Sequence, residues 1–215
     1  MQLKDDILNL RKDYQGQPLT MDSAHADPYV QFDHWFEQAR AVDAASANAM
    51  SVATVDDAGL PNCRTVLMKS FNEQGFVFFT DYSSAKGQEL AHNAGITALF
   101  WWRDLERQVR IRGQVDLLSV EDSTHYFQSR PKGSQISATA SHQSQTVSLD
   151  ELQSRQQALE QQYADADYLP KPERWGGYLI QPVSLEFWQG RPNRLHDRLL
   201  YTQQDQCWQI ERLSP

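Results

Sequence analysis

The chain is short of the residues that mark several common protein classes. Only two of its 215 residues are cysteine, Cys63 and Cys207, far apart and outside any CxxC spacing. Two thiols cannot build a zinc site, and in a reducing compartment they are not expected to pair. The six histidines form no HxxxH, HxH or HExxH pair, so no metal site is expected. No apolar run approaches the roughly 18 residues that span a bilayer. The opening MQLKDDILNLRKDY has no apolar stretch and no small-residue cleavage site, so it does not read as a secretory signal. Ten glycines and nine prolines are too few, and 11% aromatics too many, for a disordered or fibrous chain. The expectation is a cytoplasmic protein with no membrane partner, long enough to bury a core without metal or disulfide staples.

Basic residues are also in deficit. Twenty Lys plus Arg stand against 28 Asp plus Glu, a formal net charge of -8. That field repels nucleic acid, although a local cluster of cations can still hold a small anion. The glycine-rich phosphate loops GxGxxG and GxxxxGK[ST] are absent, so any phosphate is held by side chains. GxSxG is absent too, and neither cysteine sits where activation is expected.

What is present alternates between strand and helix patterns. Residues 1–26 are polar and read as a short helix followed by an extended arm. Asp27 is placed to cap a helix with Pro28 at its first position, and Phe32, Trp35, Phe36 and Ala39 share one face. From residue 49, AMSVATVD, NCRTVLMKSF and FVFFTDY read as a strand meander. SSAKGQELAHN is a short helix, followed by the strands ITALFWW and ERQVRIRGQVDLLS. Ser119 with Asp122 opens another helix that Pro131 stops, and Ser148 with Glu151 opens a further one. RPKGSQISATASHQSQ between those helices is polar and reads as a loop. YLIQPVSLEFWQG, RLHDRLLYTQ and CWQIERL return to strand. The pattern predicts a mainly β (α+β) fold, an antiparallel barrel with peripheral helices.

Cations recur on these strands. A strand through RLHDR puts Arg194, His196 and Arg198 on one face and turns Leu195 and Leu199 toward the core. Such crowding is unfavourable unless an anion or carboxylate sits among the charges. Leu185 and Phe187 alternate with Glu186 and an outward Trp188. Val109, Ile111 and Val115 face inward while Gln108, Arg110, Arg112 and Gln114 face outward. Arg64 and Lys69 have opposite parity across TVLM, so one of them belongs at a strand end or bulge.

LEFWQGRPNRLHDR (Leu185 to Arg198) resembles the C-terminal motif of the pyridoxine/pyridoxamine 5′-phosphate oxidases at every restricted position. RTVLMKS (Arg64–Ser70), LERQVRIRG (Leu105–Gly113), YFQSRPKGSQIS (Tyr126–Ser137) and the WGGY-to-SP tail resemble the same family in the same order. The similarity runs from about Arg11 to Pro215. It implies an FMN-binding split β-barrel of Greek-key type, with an N-terminal arm or lid over residues 1–26 and one barrel domain over 27–215. It also implies a homodimer with both active sites at the subunit interface.

The resemblance carries cofactor contacts to Arg64, Thr65, Val66, Leu67, Lys69, Phe79, Thr80, Lys86, Gln108, Gln143, Ser144, Trp188 and Arg198. Arg64 and Lys86 are implied at the FMN phosphate. Lys69, Tyr126, Arg130 and Ser134 match a substrate phosphate site. Arg194 and His196 match the catalytic pair over the substrate ring, with Leu195 between them, and Arg11 and Tyr14 match a lid. The family commonly has Arg before the lysine matching Lys86, where this chain has Ala85. The implied activity is oxidation of pyridoxine and pyridoxamine 5′-phosphates by O2 to pyridoxal 5′-phosphate, with H2O2 and, from the amine, ammonia as co-products. The readings set against it are another flavin oxidoreductase on the same barrel and a non-catalytic flavin- or pyridoxal-phosphate-binding protein.

Overall fold

The computed structural model describes residues 13–205 and 207–215. Arg11, with the part of the expected arm before residue 13, lies outside the described residues. The elements are α1 (Pro28–Val42), β1 (Ala49–Val55), β2 (Pro61–Asn72), β3 (Gly75–Asp81), α2 (Ala85–His92), β4 (Gly95–Trp102) and β5 (Arg107–Leu117). They continue with α3 (Val120–Ser129), α4 (Lys132–Ala140), α5 (Leu149–Gln162), β6 (Trp175–Gln189), β7 (Asp197–Gln204) and β8 (Cys207–Arg212). The strands follow the order β3-β2-β1-β4-β5-β6-β7-β8, and β3 also pairs with β6. That last pairing closes six strands into the expected antiparallel barrel with peripheral helices.

The chain divides into two compact units. One holds Ala49–Ala98 and Arg112–Pro182. Its strands bury Met50, Val52, Phe76, Phe78 and Ile180, and a cluster of Phe127, Ile136, Leu169 and Trp175 packs with Phe79 and Tyr126. The β2–β3 register shifts between Met68 and Ser70, so Lys69 sits on the irregularity that its parity demanded. Gly113 in β5 lies so close to β6 that a Cβ would stand 2.0 Å from the Gln181 carbonyl oxygen.

The other unit holds Leu99–Ile111, Val183–Pro215 and the chain up to Asn48. The helix α1 starts as its sequence demands, with Asp27 accepting the Tyr29 N–H at 2.7 Å and Pro28 next to it. Its apolar face buries Phe32, Trp35 and Ala39. Phe32 meets Phe100 edge-on and Trp35 meets Phe187 likewise, so aromatic contacts tie α1 to the strands. Arg107 lies over Trp35 and donates to Gln189 and Gln38, and burial pushes its guanidinium down to about 10.

Three expectations are corrected. RPKGSQISATASHQSQ contains the helix α4 rather than only loop. Small residues hid its period, but Ile136 and Ala140 are buried one turn apart, and Gln135 ties the segment to the Gln128 and Arg130 carbonyls. RLHDR is not one strand, since β7 begins only at Asp197. Pro192–Arg194 forms a 3-10 turn in which Asn193 and Arg194 adopt positive φ, 57° and 62°. Asn tolerates that region, and the turn throws Leu195 out to 71% exposure instead of into the core. Glu186, read as outward with Trp188, is only 6% exposed because two arginines cover it.

The Gly113 contact is testable. Gly113→Ala would push a methyl into backbone that has no soft side chain to give way, costing about 1–3 kcal/mol. That lowers Tm by roughly 2–12 °C for a chain of this size, read in a thermal melt. A variant melting with the parent would mean that β5 and β6 do not approach this closely.

Candidate functional site

The unit holding Ala49–Ala98 and Arg112–Pro182 contains a cleft of about 780 Å3. Arg64, Thr65, Val66, Leu67 and Lys69 reach it from β2, Phe79 and Thr80 from β3, and Lys86 from the first turn of α2. Tyr126 and Arg130 reach it from the end of α3, Ser134 from α4, and Gln143 and Ser144 from the loop after α4. The sequence scattered these residues over about eighty positions, and the fold brings them to one cleft. A neighbouring cavity of about 390 Å3 shares Lys69, Tyr126 and Arg130.

Three cations in the cleft, Lys86, Arg130 and Lys69, have no salt bridge among the described residues. Lys86 is 6% exposed, and its Nζ donates to Thr80 Oγ1 at 3.0 Å, Ser84 Oγ at 3.3 Å and Gln143 Oε1 at 2.6 Å. All three are neutral oxygens. Burial pushes this ammonium down to about 8, and repulsion from Arg64 adds to the shift, while Asp81 and Glu89 oppose it. Arg130 sits 5.0 Å above the Trp175 ring and 5.8 Å from Phe127, with its buried Nη1 unpaired. Burial lowers its pKa, and it lowers that of Lys69 too, with Arg130 repelling that lysine. Tyr126 stacks on Phe79 at 4.0 Å, and both line the cleft.

The remaining cation, Arg64, is paired. Glu89 of α2 holds its Nη2 at 3.1 Å, Thr54 accepts from Nη1, and Asn62 donates to Glu89 at 3.0 Å. Ala85 lines the cleft at the start of α2 and donates its N–H to Ser144 Oγ at 3.2 Å. Ser144 holds a positive φ of 71°, so its hydroxyl reaches this helix start from a strained turn.

The other expected site residues lie in the second unit. Gln108, Trp188 and Arg198 line a smaller cavity of about 260 Å3 together with Arg110 and Glu186. Glu186 pairs with Arg198 at 2.8 Å and with Arg110. Tyr14 stands edge-on to Trp188 at 5.6 Å and to His196 at 5.4 Å, and Trp188 lies 4.6 Å from His196. Arg194 and Leu195 are exposed beside them. The Arg191 N–H donates to His196 Nδ1 at 3.1 Å, which leaves the ring proton on Nε2. Burial and Arg194 lower the His196 pKa against the pull of Asp197, keeping that neutral tautomer at pH 7.

Sequence reasoning missed Glu186, Glu89, Glu106 and Asp197, the acids that hold these arginines and the arm. The available signal was the parity match of Arg110 and Glu186, on the same strand faces as Gln108 and Trp188.

Fold and cleft together define a six-stranded barrel protein with a cation-lined cleft. Comparison with known proteins narrows this. Residues 37–166 match the family described as pyridoxamine 5′-phosphate oxidase, and residues 175–215 match the pyridoxine 5′-phosphate oxidase C-terminal dimerisation region. A pyridoxine/pyridoxamine 5′-phosphate oxidase of a Cyanothece species is 50% identical over 210 residues, covering 97% of this chain and 98% of the relative. One from Paraburkholderia phytofirmans is 49% identical over 212 residues, covering 97% and 99%. Among solved structures, PhzG from Burkholderia lata 383, in complex with tetrahydrophenazine-1-carboxylic acid, aligns with a TM-score of 0.86 at 28% identity, over 93% and 99% of the two chains. An FMN-binding, pyridoxamine 5′-phosphate oxidase-related protein from Nostoc punctiforme shares the fold with a TM-score of 0.70 at 19% identity, over 88% and 98%. The chain belongs to the pyridoxine/pyridoxamine 5′-phosphate oxidase family.

The Lys86 site makes a pH prediction. A bound phosphate dianion raises the lysine pKa above its free value of about 8, so binding takes up a proton once the pH exceeds 8. Affinity for phenyl phosphate, whose own second ionisation near 6 is complete by then, should fall by up to about tenfold per pH unit between 8 and 9.5. Calorimetric titration of Lys86→Gln should show weaker binding without that slope.

Proposed function

We propose that the protein uses FMN to oxidise pyridoxine 5′-phosphate and pyridoxamine 5′-phosphate to pyridoxal 5′-phosphate, with O2 as acceptor. The alcohol plus O2 gives the aldehyde plus H2O2. The amine plus O2 and water gives the aldehyde, ammonia and H2O2. The observation that carries this reading is that one cleft holds Lys86 and Arg130 on separate elements, neither with a salt bridge among the described residues. Cofactor and substrate each bring a phosphate monoester, and each needs a cation that no protein carboxylate already occupies.

The residues fit FMN on that test. Lys86, Thr80, Gln143, Ser144 and Arg64 would hold its phosphate, and Val66 and Leu67 of β2 would lie along the ring system. Bound FMN supplies two-electron oxidation of the substrate carbon, with O2 as final acceptor. Lys69, Tyr126, Arg130 and Ser134 bind the substrate phosphate. Trp175 beneath Arg130 keeps that guanidinium flat and excludes water from one side of it. His196 offers an Nε2–H donor to an oxygen of the substrate ring, and Arg194 adds positive charge beside it. Gln108, Trp188 and Arg198 are further cofactor contacts in this reading. The match to the dimerisation region supports a homodimer that assembles active sites at its interface. In this reading residues 1–26 serve as arm and lid, residues 27–215 form the barrel domain, and the enzyme works in the cytoplasm. Among the described residues, no helix is long and apolar enough to cross a membrane.

The deciding assay mixes the yellow protein with pyridoxine 5′-phosphate in air and measures pyridoxal 5′-phosphate and H2O2, expected in equal amounts. Protein that holds FMN yet forms neither would reject the reading. Arg130→Ala should raise KM for the phosphorylated substrate roughly 10–100-fold and leave the poor use of unphosphorylated pyridoxine almost unchanged. Equal losses with both substrates would indicate damage elsewhere.

His196 should act from its neutral form. Because its pKa is lowered, the acid limb that it contributes to kcat/KM should lie below pH 6.5. His196→Asn should lose that limb while still purifying with flavin. A limb above 6.5 in the parent, or unchanged in the variant, would assign the proton to another group.

A further inference from the structure

Residues 13–20 form neither helix nor strand, yet their backbone is tied down at several points. Glu106 is 7% exposed and holds a positive φ of 56° just after the 3-10 turn Arg103–Leu105. Its Oε2 accepts the N–H of Gln15 at 2.7 Å and that of Gly16 at 3.1 Å. Arg191 donates to the Gly16 carbonyl. Farther along, Asp197 accepts the Leu19 N–H at 3.1 Å, and Arg212 donates to the Leu19 carbonyl at 3.0 Å. Two glycines allow the close approach. A Cβ on Gly16 would stand 2.0 Å from Gln189 Nε2, and one on Gly190 would stand 2.8 Å from the Tyr14 ring.

We propose that Glu106 is a positioning residue, clamping Gln15 and Gly16 so that the Tyr14 ring stays against His196 and Trp188 as one wall of the substrate site. A single carboxylate oxygen that collects two successive backbone N–H groups fixes the direction of the chain as well as its place, and charged acceptors bind such donors more strongly than neutral ones. The clamp lies one residue from Tyr14. Asp197 anchors the chain five residues beyond Tyr14 and is already shared between Arg191 at 3.4 Å and Arg212 at 2.8 Å. Glu106 is therefore the acid whose loss frees Tyr14 most directly. Its effect on catalysis passes through the tyrosine and rests on the reaction proposed above.

The test is a double-variant cycle on the flavin-loaded enzyme with pyridoxine 5′-phosphate. Glu106→Ala should raise KM about tenfold with kcat within about twofold, the loss expected when binding geometry but not chemistry is relaxed. Glu106→Gln keeps an oxygen acceptor at the same place and should recover most of that loss. Glu106→Ala combined with Tyr14→Ala should be no worse than Tyr14→Ala alone. Multiplying losses, or a fall in kcat at unchanged KM, would overturn the proposal. If Glu106→Ala does not fold, the cycle is run with Glu106→Gln and decided by the same comparison with Tyr14→Ala. If the parent enzyme does not turn over this substrate, the reaction is wrong and amide hydrogen exchange decides the clamp. Gln15 and Gly16 should then exchange at least about tenfold faster in Glu106→Ala than in the parent, and equal rates would overturn it.

Discussion

The cleft depends on holding Lys69, Lys86 and Arg130 close together in a half-buried site, while Glu89 pairs with their neighbour Arg64. Lys86 is the sharpest case, for its ammonium is buried against Thr80, Ser84 and Gln143 oxygens and its pKa falls to about 8. Free ammonium and guanidinium groups resist such burial because they lose hydration without gaining a counter-charge. The fold sustains it by rigidity. Ser84 caps α2, the strand β3 fixes Thr80, and Trp175 and Phe127 give Arg130 an aromatic shelf.

The second unit solves the opposite problem. Four of its arginines are matched with acids, Arg198 and Arg110 with Glu186, and Arg191 and Arg212 with Asp197. Their role is to set positions, and the part left open is an aromatic group of Tyr14, Trp188 and His196. An imidazole whose Nδ1 is occupied by a backbone N–H can only present Nε2–H, so the turn at Pro192–Arg194 decides the chemistry that His196 can offer.

Much of this was legible in the sequence, for physical reasons that differ by element. The strands of the barrel alternate cleanly, as in Val109, Ile111 and Val115 against Arg110 and Arg112, because each has one buried face. Helix starts were legible because Asp27, Ser119 and Ser148 cap them locally. The helix α4 was hidden because Ser, Ala and Thr carry little hydrophobic contrast, so burial of Ile136 and Ala140 leaves a faint period. The RLHDR turn was hidden because alternation of charge and apolar residue looks like a strand, while Pro192 and Asn193 break it through backbone torsion rather than hydropathy. The cleft residues came to notice through family resemblance. Spacing alone does not bring Lys86, Arg130 and Ser144 together, whereas barrel closure does.

In the proposed function Lys86 and Arg130 mark two separate phosphate sites. The most direct measurement is the 31P NMR spectrum of the protein loaded with FMN and pyridoxal 5′-phosphate. Two bound dianion resonances are predicted, with Lys86→Gln shifting or releasing only the FMN signal and Arg130→Ala only the other. A spectrum in which both variants disturb the same resonance, or neither disturbs any, would contradict the account.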